Sequence, residues 1–497
     1  MDVTPQQPPE PPAPPQPPLD PSGAELAPPA QAPLPLDLPP VSLRTTLRRA
    51  AMGVVAGAVL VTGAVVAVPD DEEKPVPPPA PGPVSRALEA RALGSPASLS
   101  DLTALIGDRQ EWVGTHPSDA RSWALLGSAF VEWGQRSADA SYYGRAEQAL
   151  KRSLEVEPGE RGNTAAWVGL AVLANARHDF GTAKKWGERV RARQPGQWDV
   201  YPALIDAYDG LGDRRSANAA VERLAALHSG APALVRSALR YRDGGRQQEA
   251  LADAHKALDR ATTPTQATEC RYLLGELAWD RGEPEEAVTQ YDLALRDDPA
   301  HHPSLAGRAR ALVALGRTDE AQRDYKAALA GLPRPVYMLE LGEWYESLGR
   351  EADARSQYAQ FREALGREAA QGVDDAALRG RFEADHGDPA TAVELLKVEW
   401  SRSHRSAAVA DALGWALHRA GDSASAVAYA KQAVSVDGHN AWYTAHLGAI
   451  QQALADYGPA RRNLQEALRV NPHFSPLEGP AAQRALRALG GPAEDDG

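Results

Sequence analysis

The sequence predicts an all-α solenoid of about ten stacked helical hairpins, and three recurring marks predict it. A small alanine returns at Ala146, Ala183, Ala217, Ala250, Ala287, Ala321, Ala354, Ala392, Ala426 and Ala460, in steps of 33 to 38 residues. A glycine stands five residues ahead of it at Gly212, Gly245, Gly282, Gly316, Gly349, Gly387 and Gly421. Leucine followed by a small residue recurs as Leu126-Gly127, Leu170-Ala171, Leu274-Gly275, Leu341-Gly342, Leu413-Gly414 and Leu447-Gly448, and prolines close units at Pro158, Pro195, Pro299, Pro333 and Pro472. Self-similarity at a fixed period of this size marks stacked repeats, each too small to bury an apolar face alone.

The segment Tyr272 to Pro299 shows why the spacing works. Leu274 and Ala278 lie four apart, on one face of a first helix. Gly275 has no side chain, so a partner helix can approach, and Gly282-Glu283-Pro284 forms the turn. Ala287 is the small residue at the closest crossing of the second helix, Ala294 repeats that face, Tyr291 fills the gap between hairpins and Pro299 ends the helix. This pattern resembles the tetratricopeptide repeat family, over roughly residues 98–475. The resemblance implies a right-handed superhelix whose concave face, lined by the first helices, binds extended peptides or partner helices.

Departures from the pattern are local. The first unit carries an insertion around Arg136–Gly144, and the eighth, Ala376 to Glu399, has Glu383 where the family has an aromatic residue. A half repeat over Leu99 to Gly114 is expected to cap one end of the array. Residues 476–497 supply a cap helix, Pro480 to Leu489, and a disordered end.

The N-terminal segments read differently. Residues 1–43 are dominated by proline, which fixes φ and lacks the N–H, so a disordered, polyproline-rich tail is expected. Ala50 to Val68 is apolar apart from Thr62. At ~1.5 Å per residue that run is just long enough to cross a bilayer core of ~30 Å. Arg44, Arg48 and Arg49 precede it, and Asp70, Asp71, Glu72 and Glu73 follow. A transmembrane helix over 44–69 is therefore expected, single-pass in a cell membrane, with the tail cytoplasmic and the array extracytoplasmic. A cleaved signal ending near Val65-Val66-Ala67 and a buried helix are the alternatives. Gly53 and Gly57 make a GxxxG step through which two such helices would pack as a homodimer. Residues 70–97 read as an acidic, proline-rich linker.

The net charge of −13 argues against a nucleic-acid binder, which needs a basic stripe to neutralise phosphates. Cys270 is the single cysteine, which excludes an intramolecular disulfide and reads as a small buried hydrophobe. No phosphate loop, zincin helix, nucleophile elbow or EF-hand loop occurs in the sequence. Glu383-Ala384-Asp385-His386-Gly387-Asp388 offers four potential oxygen and nitrogen ligands in six residues, but Gly387 is a turn glycine and Asp388 before Pro389 reads as a helix N-cap. His301-His302 reads as exposed residues of an inter-repeat turn. No stretch remains to house a catalytic domain, so no enzyme activity, cofactor, metal or small-molecule substrate is expected.

The family's groove positions fall on Pro202, Asp206 and Asp209 in the third unit, on Tyr272, Glu276, Trp279 and Asp280 in the fifth and on Leu339, Glu343 and Glu346 in the seventh. The ninth and tenth units add Asp411, Trp415, His418 and Trp442, and arginines are fewer, at Arg242, Arg310, Arg381 and Arg419. The family's pocket for acidic chaperone tails uses lysine and asparagine at such places, whereas carboxylates stand here. The expected function is a membrane-anchored scaffold that holds extended, basic or mixed protein segments in its groove. An accessory subunit or chaperone of a cell-envelope enzyme or transporter, and a cytoplasmic regulator, are the alternatives.

Overall fold

A computed structural model describes residues 80–490, and within them 23 α-helices and one three-residue 3₁₀ turn account for the regular structure. Ten antiparallel hairpins run from Ala120–Ser137 with Tyr142–Val156 to Ala441–Ala453 with Tyr457–Val470. The ten register alanines are all buried, none more than 2% exposed, because each sits where its second helix crosses the first most closely. The facing residue is small for the same reason. A Cβ at Gly275 would lie 2.5 Å from the Tyr291 ring, and one at Gly127 would lie 2.6 Å from Leu150. Leu150, Tyr291, Tyr325, Tyr358, Leu396 and Leu464, each four residues after a register alanine, are buried and fill the space between hairpins. The eighth hairpin, despite Glu383, forms with Phe382 and Leu396 in its core.

The helical body begins inside the 70–97 segment that reads as a linker in the sequence. Pro83–Ala92 is helical, Ala87 on it is fully buried, and Arg86 donates to Asp101 of the helix Leu99–Thr115 at 3.1 Å. The N-terminal cap is therefore a helix pair. At the other end, Glu478–Ala488 lays Ala482 against Leu464 and Phe474.

The single-pass placement in a cell membrane, with an extracytoplasmic array, is corrected. No helix among the described residues is long and apolar enough to cross a membrane. The longest, the twenty-residue Glu351–Ala370, shows the reason: Glu351, Asp353, Arg355, Glu363 and Arg367 interrupt it with charge. The proline tail, the Ala50–Val68 run and the Gly53/Gly57 step lie outside the described residues.

Successive turns of the solenoid touch. Asn471 Nδ2 donates to the Trp279 carbonyl at 2.7 Å, 192 residues away, and Arg334 reaches the Gln135 carbonyl at 3.2 Å, 199 residues away. Gln266 Nε2 likewise donates to Ser95 Oγ at 2.7 Å. With hairpins of ~34 residues, one turn takes between five and six of them. The turn glycines thus have a second role that the sequence reading missed. Gly212 faces the Arg405 carbonyl, and a Cβ at Gly282 would lie 2.7 Å from the Val470 carbonyl, whereas Gly316, with nearly the same φ, faces open space.

A paired substitution tests this contact. Gly282→Ala and Gly316→Ala both strain a φ near +70°, at a cost of ~1–2 kcal/mol. Gly282→Ala is expected to lose a further ~1–3 kcal/mol by overpacking the backbone of the next turn. Urea unfolding midpoints compare them, and equal losses would mean that the turns do not touch.

Candidate functional site

The hairpins' first helices carry a ladder of charge. At the position eleven residues before the register alanine stand Glu276, Arg310, Glu343 and Arg381, so acid and base alternate along four successive units. Arg310 Nη2 donates to Glu276 at 2.7 Å and Arg381 Nη2 to Glu343 at 2.8 Å, while Arg310 also lies 3.4 Å from Glu340. Glu276 and Glu343 are 7% and 5% exposed. Burial works to raise the Glu276 carboxyl, but Arg310 and Arg242 overcome it and hold the group below its usual range. Arg381 does the same for Glu343.

Three adjoining cavities follow this wall. The first, about 720 Å³, is lined by Asp209, Arg242, Asp243, Asp437, Trp442 and Tyr443 among others. The second, about 410 Å³, shares Trp279, Arg310, Trp442 and Phe474 with the first and adds Trp344 and Glu343. The third, about 380 Å³, shares Glu343 and Ser475 with the second and holds Glu346, Asp385 and Trp415. Residues from hairpins a full turn apart, such as Trp279 and Trp442, face the same space, so the turn-to-turn contact walls in what an open groove would leave exposed.

The residues singled out from the sequence divide accordingly. Asp209, Trp279, Asp280 and Trp442 line the first cavity, and Glu343, Glu346 and Trp415 line the second or third. Asp206, Tyr272 and Glu276 line none of the three. Asp206 pairs with Arg236, Tyr272 lies against Tyr291 and His301, and Glu276 accepts from Tyr291 Oη at 2.6 Å. Asp280 accepts from Arg242 Nε at 2.5 Å, and Glu346 from Tyr358 Oη at 2.7 Å. Trp415 Nε1 donates to Asp385 at 2.9 Å, and its ring stacks on His446 at 4.1 Å. The Arg381 guanidinium sits 4.2 Å from the Trp442 ring centre.

The acids are not evenly compensated. Burial pushes Asp209 up to about 7, with Arg240 at 3.4 Å its one close cation. Burial also raises Asp243, Glu340, Asp385 and Asp437. Neither Asp243 nor Asp437 forms an ion pair among the described residues. Asp243, Asp437, Trp344 and Phe474 are cavity residues that the sequence reading missed. The register would have found the first, since Asp243 stands seven residues before its alanine just as Asp280 does.

Asp209 gives a pH test. Its folded pKa is raised above the ordinary 3.8, so its contribution to stability is fully present below pH 3.8 and is lost as pH rises through about 7. Asp209→Asn keeps the neutral form at every pH. The variant should therefore gain on the parent protein between pH 5 and pH 8 in thermal melts, and a constant difference would contradict desolvation of this half-buried carboxyl.

Other groups behave as packing elements. Cys270 is fully buried, and burial pushes its thiol up to about 12. Asp388 caps the helix Pro389–Ser401, accepting from the Ala390 and Thr391 amides at 3.2 and 3.1 Å. His301 is buried rather than exposed, sharing a hydrogen bond with Ser304 Oγ at 2.7 Å because the turn tucks under Tyr272.

Comparison with known proteins places the central hairpins. Residues 235–302 and 307–372 match the family model described as tetratricopeptide repeat. The chain carries tetratricopeptide repeats over these residues. Repeats of this family imply a protein–protein interaction scaffold. The co-chaperone DNJ1 of Fusarium oxysporum f. sp. lycopersici, a tetratricopeptide repeat and J domain-containing protein, is 43% identical over 53 residues, 11% of this chain and 10% of that protein. The chain thus spans about a tenth of that relative's length. Among solved structures, a thermophilic tetratricopeptide repeat protein of Thermus thermophilus is 24% identical, with 38% of this chain and 99% of that one covered and a TM-score of 0.33. The Cut9–Hcn1 hetero-tetramer of APC/C is 14% identical over 82% and 85% of the chains, with a TM-score of 0.42. A tetratricopeptide repeat protein of Parabacteroides merdae is 17% identical over 52% and 98%, with a TM-score of 0.32.

Proposed function

We propose that this chain holds an extended protein segment of basic or mixed charge along the inner wall of its solenoid and brings that partner into a complex. The observation that carries the reading is the pairing of under-compensated carboxylates, Asp209, Asp243 and Asp437, with the aromatic surfaces of Trp279, Trp442 and Phe474 in one cavity. Asp243 and Asp437, which form no ion pair among the described residues, would take a lysine or arginine side chain. Arg240, Arg242 and Arg310 on the same lining would meet the acidic residues of a mixed segment, and the aromatic rings would take an aliphatic stem or a neighbouring apolar residue. The buried carboxylates Glu276 and Glu343 are already matched by arginines, so they hold the wall in shape and leave recognition to the cavity acids.

A peptide array tests this reading. Lysine- and arginine-containing peptides should bind the parent protein and lose binding to Asp243→Lys, a residue exposed to the cavity and free of structural ion pairs. Binding that ignores this reversal, or that prefers the acidic counterparts of the same peptides, would end the proposal.

A further inference from the structure

Part of the outer side of the solenoid has a charge opposite to that of the whole chain. The second helices of the second and third hairpins, Phe180–Arg193 and Arg214–Leu227, carry eight lysine and arginine side chains against two glutamates. The next two second helices, Gln247–Asp259 and Pro284–Asp297, carry two against seven acids. The chain as a whole is at −13. Lys185, Arg189, Arg191, Arg193, Arg215 and Arg223 are exposed, and none of them lines a cavity described above. The stripe is continuous, since Arg223 donates to the Pro195 carbonyl at 3.3 Å and so joins the third hairpin to the end of the second. Its existing ion pairs are at the surface. Arg189 meets Glu160 at 2.8 Å and Arg191 meets Glu188 at 3.7 Å, all four side chains 39% exposed or more. Pairs of this kind contribute little and are readily exchanged for others. Lys185 and Arg215 have no ion-pair partner among the described residues. Arg189 is also stacked 4.6 Å from the Trp167 ring centre and 5.1 Å from that of Trp186, which fixes the orientation of its fork.

We propose that this stripe is a second docking surface, which takes a short acidic protein segment. Size and flanking charge both point to such an occupant. Each helix has 14 residues. At ~1.5 Å per residue that is ~21 Å, the length of about six extended residues at ~3.3 Å each. A long polyanion such as a nucleic acid would run on from the stripe to the acidic second helices of the fourth and fifth hairpins and be repelled there. A segment of a few glutamates or aspartates ends within the stripe, where arginine forks can meet each carboxylate with two hydrogen bonds. The protein then has two recognition surfaces of opposite preference, cation-seeking inside and anion-seeking outside.

The test uses fluorescence anisotropy with labelled octaglutamate and, separately, labelled oligothymidylate of twenty nucleotides. Octaglutamate should bind the full chain and weaken with added salt. The reversal Lys185→Glu/Arg189→Glu/Arg191→Glu/Arg215→Glu should lower its affinity by about tenfold or more, with an unchanged far-UV dichroism spectrum. Arg355→Glu/Arg367→Glu, on exposed sites of a distant helix, should leave the affinity where it was. Absence of octaglutamate binding, indifference to the stripe reversal, or tighter binding of oligothymidylate to the same residues would each overturn the proposal. Asp243→Lys separates the two surfaces: it should abolish capture of basic peptides inside and leave octaglutamate binding intact.

Discussion

Glu276→Ala is expected to lower stability by roughly 3–5 kcal/mol, because removing one partner of a buried ion pair strands the others. Three groups lose an acceptor at once, although Arg242 keeps Asp280 and Arg310 keeps Glu340. Arg310 and Arg242 remain as cations facing the vacated space, and Tyr291 Oη, on a side chain that is fully buried, is left without its hydrogen bond. Glu276→Gln can still accept from Tyr291 but supplies no charge, so it should fall between the parent and the alanine variant. Repeat arrays unfold in segments, so hydrogen exchange is the suitable measurement. Loss of protection should centre on the fifth and sixth hairpins, which Arg310 and Glu276 join. A uniform loss over all ten hairpins, or none, would contradict a ladder of local ion pairs.

His446 is expected to make stability fall with rising pH. Its ring is 3% exposed, stacked on Trp415, with Nδ1 2.9 Å from Asp411 and Nε2 2.9 Å from Glu478. Burial works to lower its pKa, yet the two carboxylates prevail and raise it to about 10, from an ordinary 6.5. The folded pKa is the higher one, so the stabilisation is fully present below pH 6.5, declines as pH rises from there, and is gone above about 10. Deprotonation also leaves the buried Asp411 and the half-buried Glu478 without their shared cation, and so the end cap Glu478–Ala488 should loosen first. His446→Gln removes the titrating group. Thermal midpoints of parent and variant should lie far apart at pH 6.5 and converge near pH 10.5, with the variant lower at the acidic end. Parallel curves would show that His446 is not ionised between the two acids.

The repeat was legible in the sequence because one packing constraint is imposed ten times. A residue at the closest helix crossing must be small, and the register alanines satisfy that constraint in every hairpin. The helix pair at the N-terminal end was not legible over Pro83–Ala92, since the prolines before it mask a helix held by Ala87 and by Arg86 on Asp101. Contact between turns was equally hidden. It depends on the small rotation from each hairpin to the next, summed over five or six units, and no local pattern records that sum. The same hidden contact explains why the groove positions were only part of the site. Trp442 and Phe474 come to Trp279 from the next turn, and the acids at Glu276 and Glu343 face arginines of neighbouring hairpins rather than solvent. The alternation of Glu276, Arg310, Glu343 and Arg381 was in the register all along. It becomes visible only when residues at one repeat position are compared across hairpins, not when acids and bases are collected separately.

Tryptophan fluorescence reports on occupancy of the inner wall, since Trp279, Trp344, Trp415 and Trp442 all line the inner cavities. The full chain is titrated with an extended peptide of alternating lysine, proline and leucine, and with the same peptide carrying glutamate for lysine. A saturable change is expected with the basic peptide, abolished by Asp243→Lys, and none with the acidic one. Equal responses to the two peptides, or a basic-peptide response that survives Asp243→Lys, would contradict a cation-seeking inner wall.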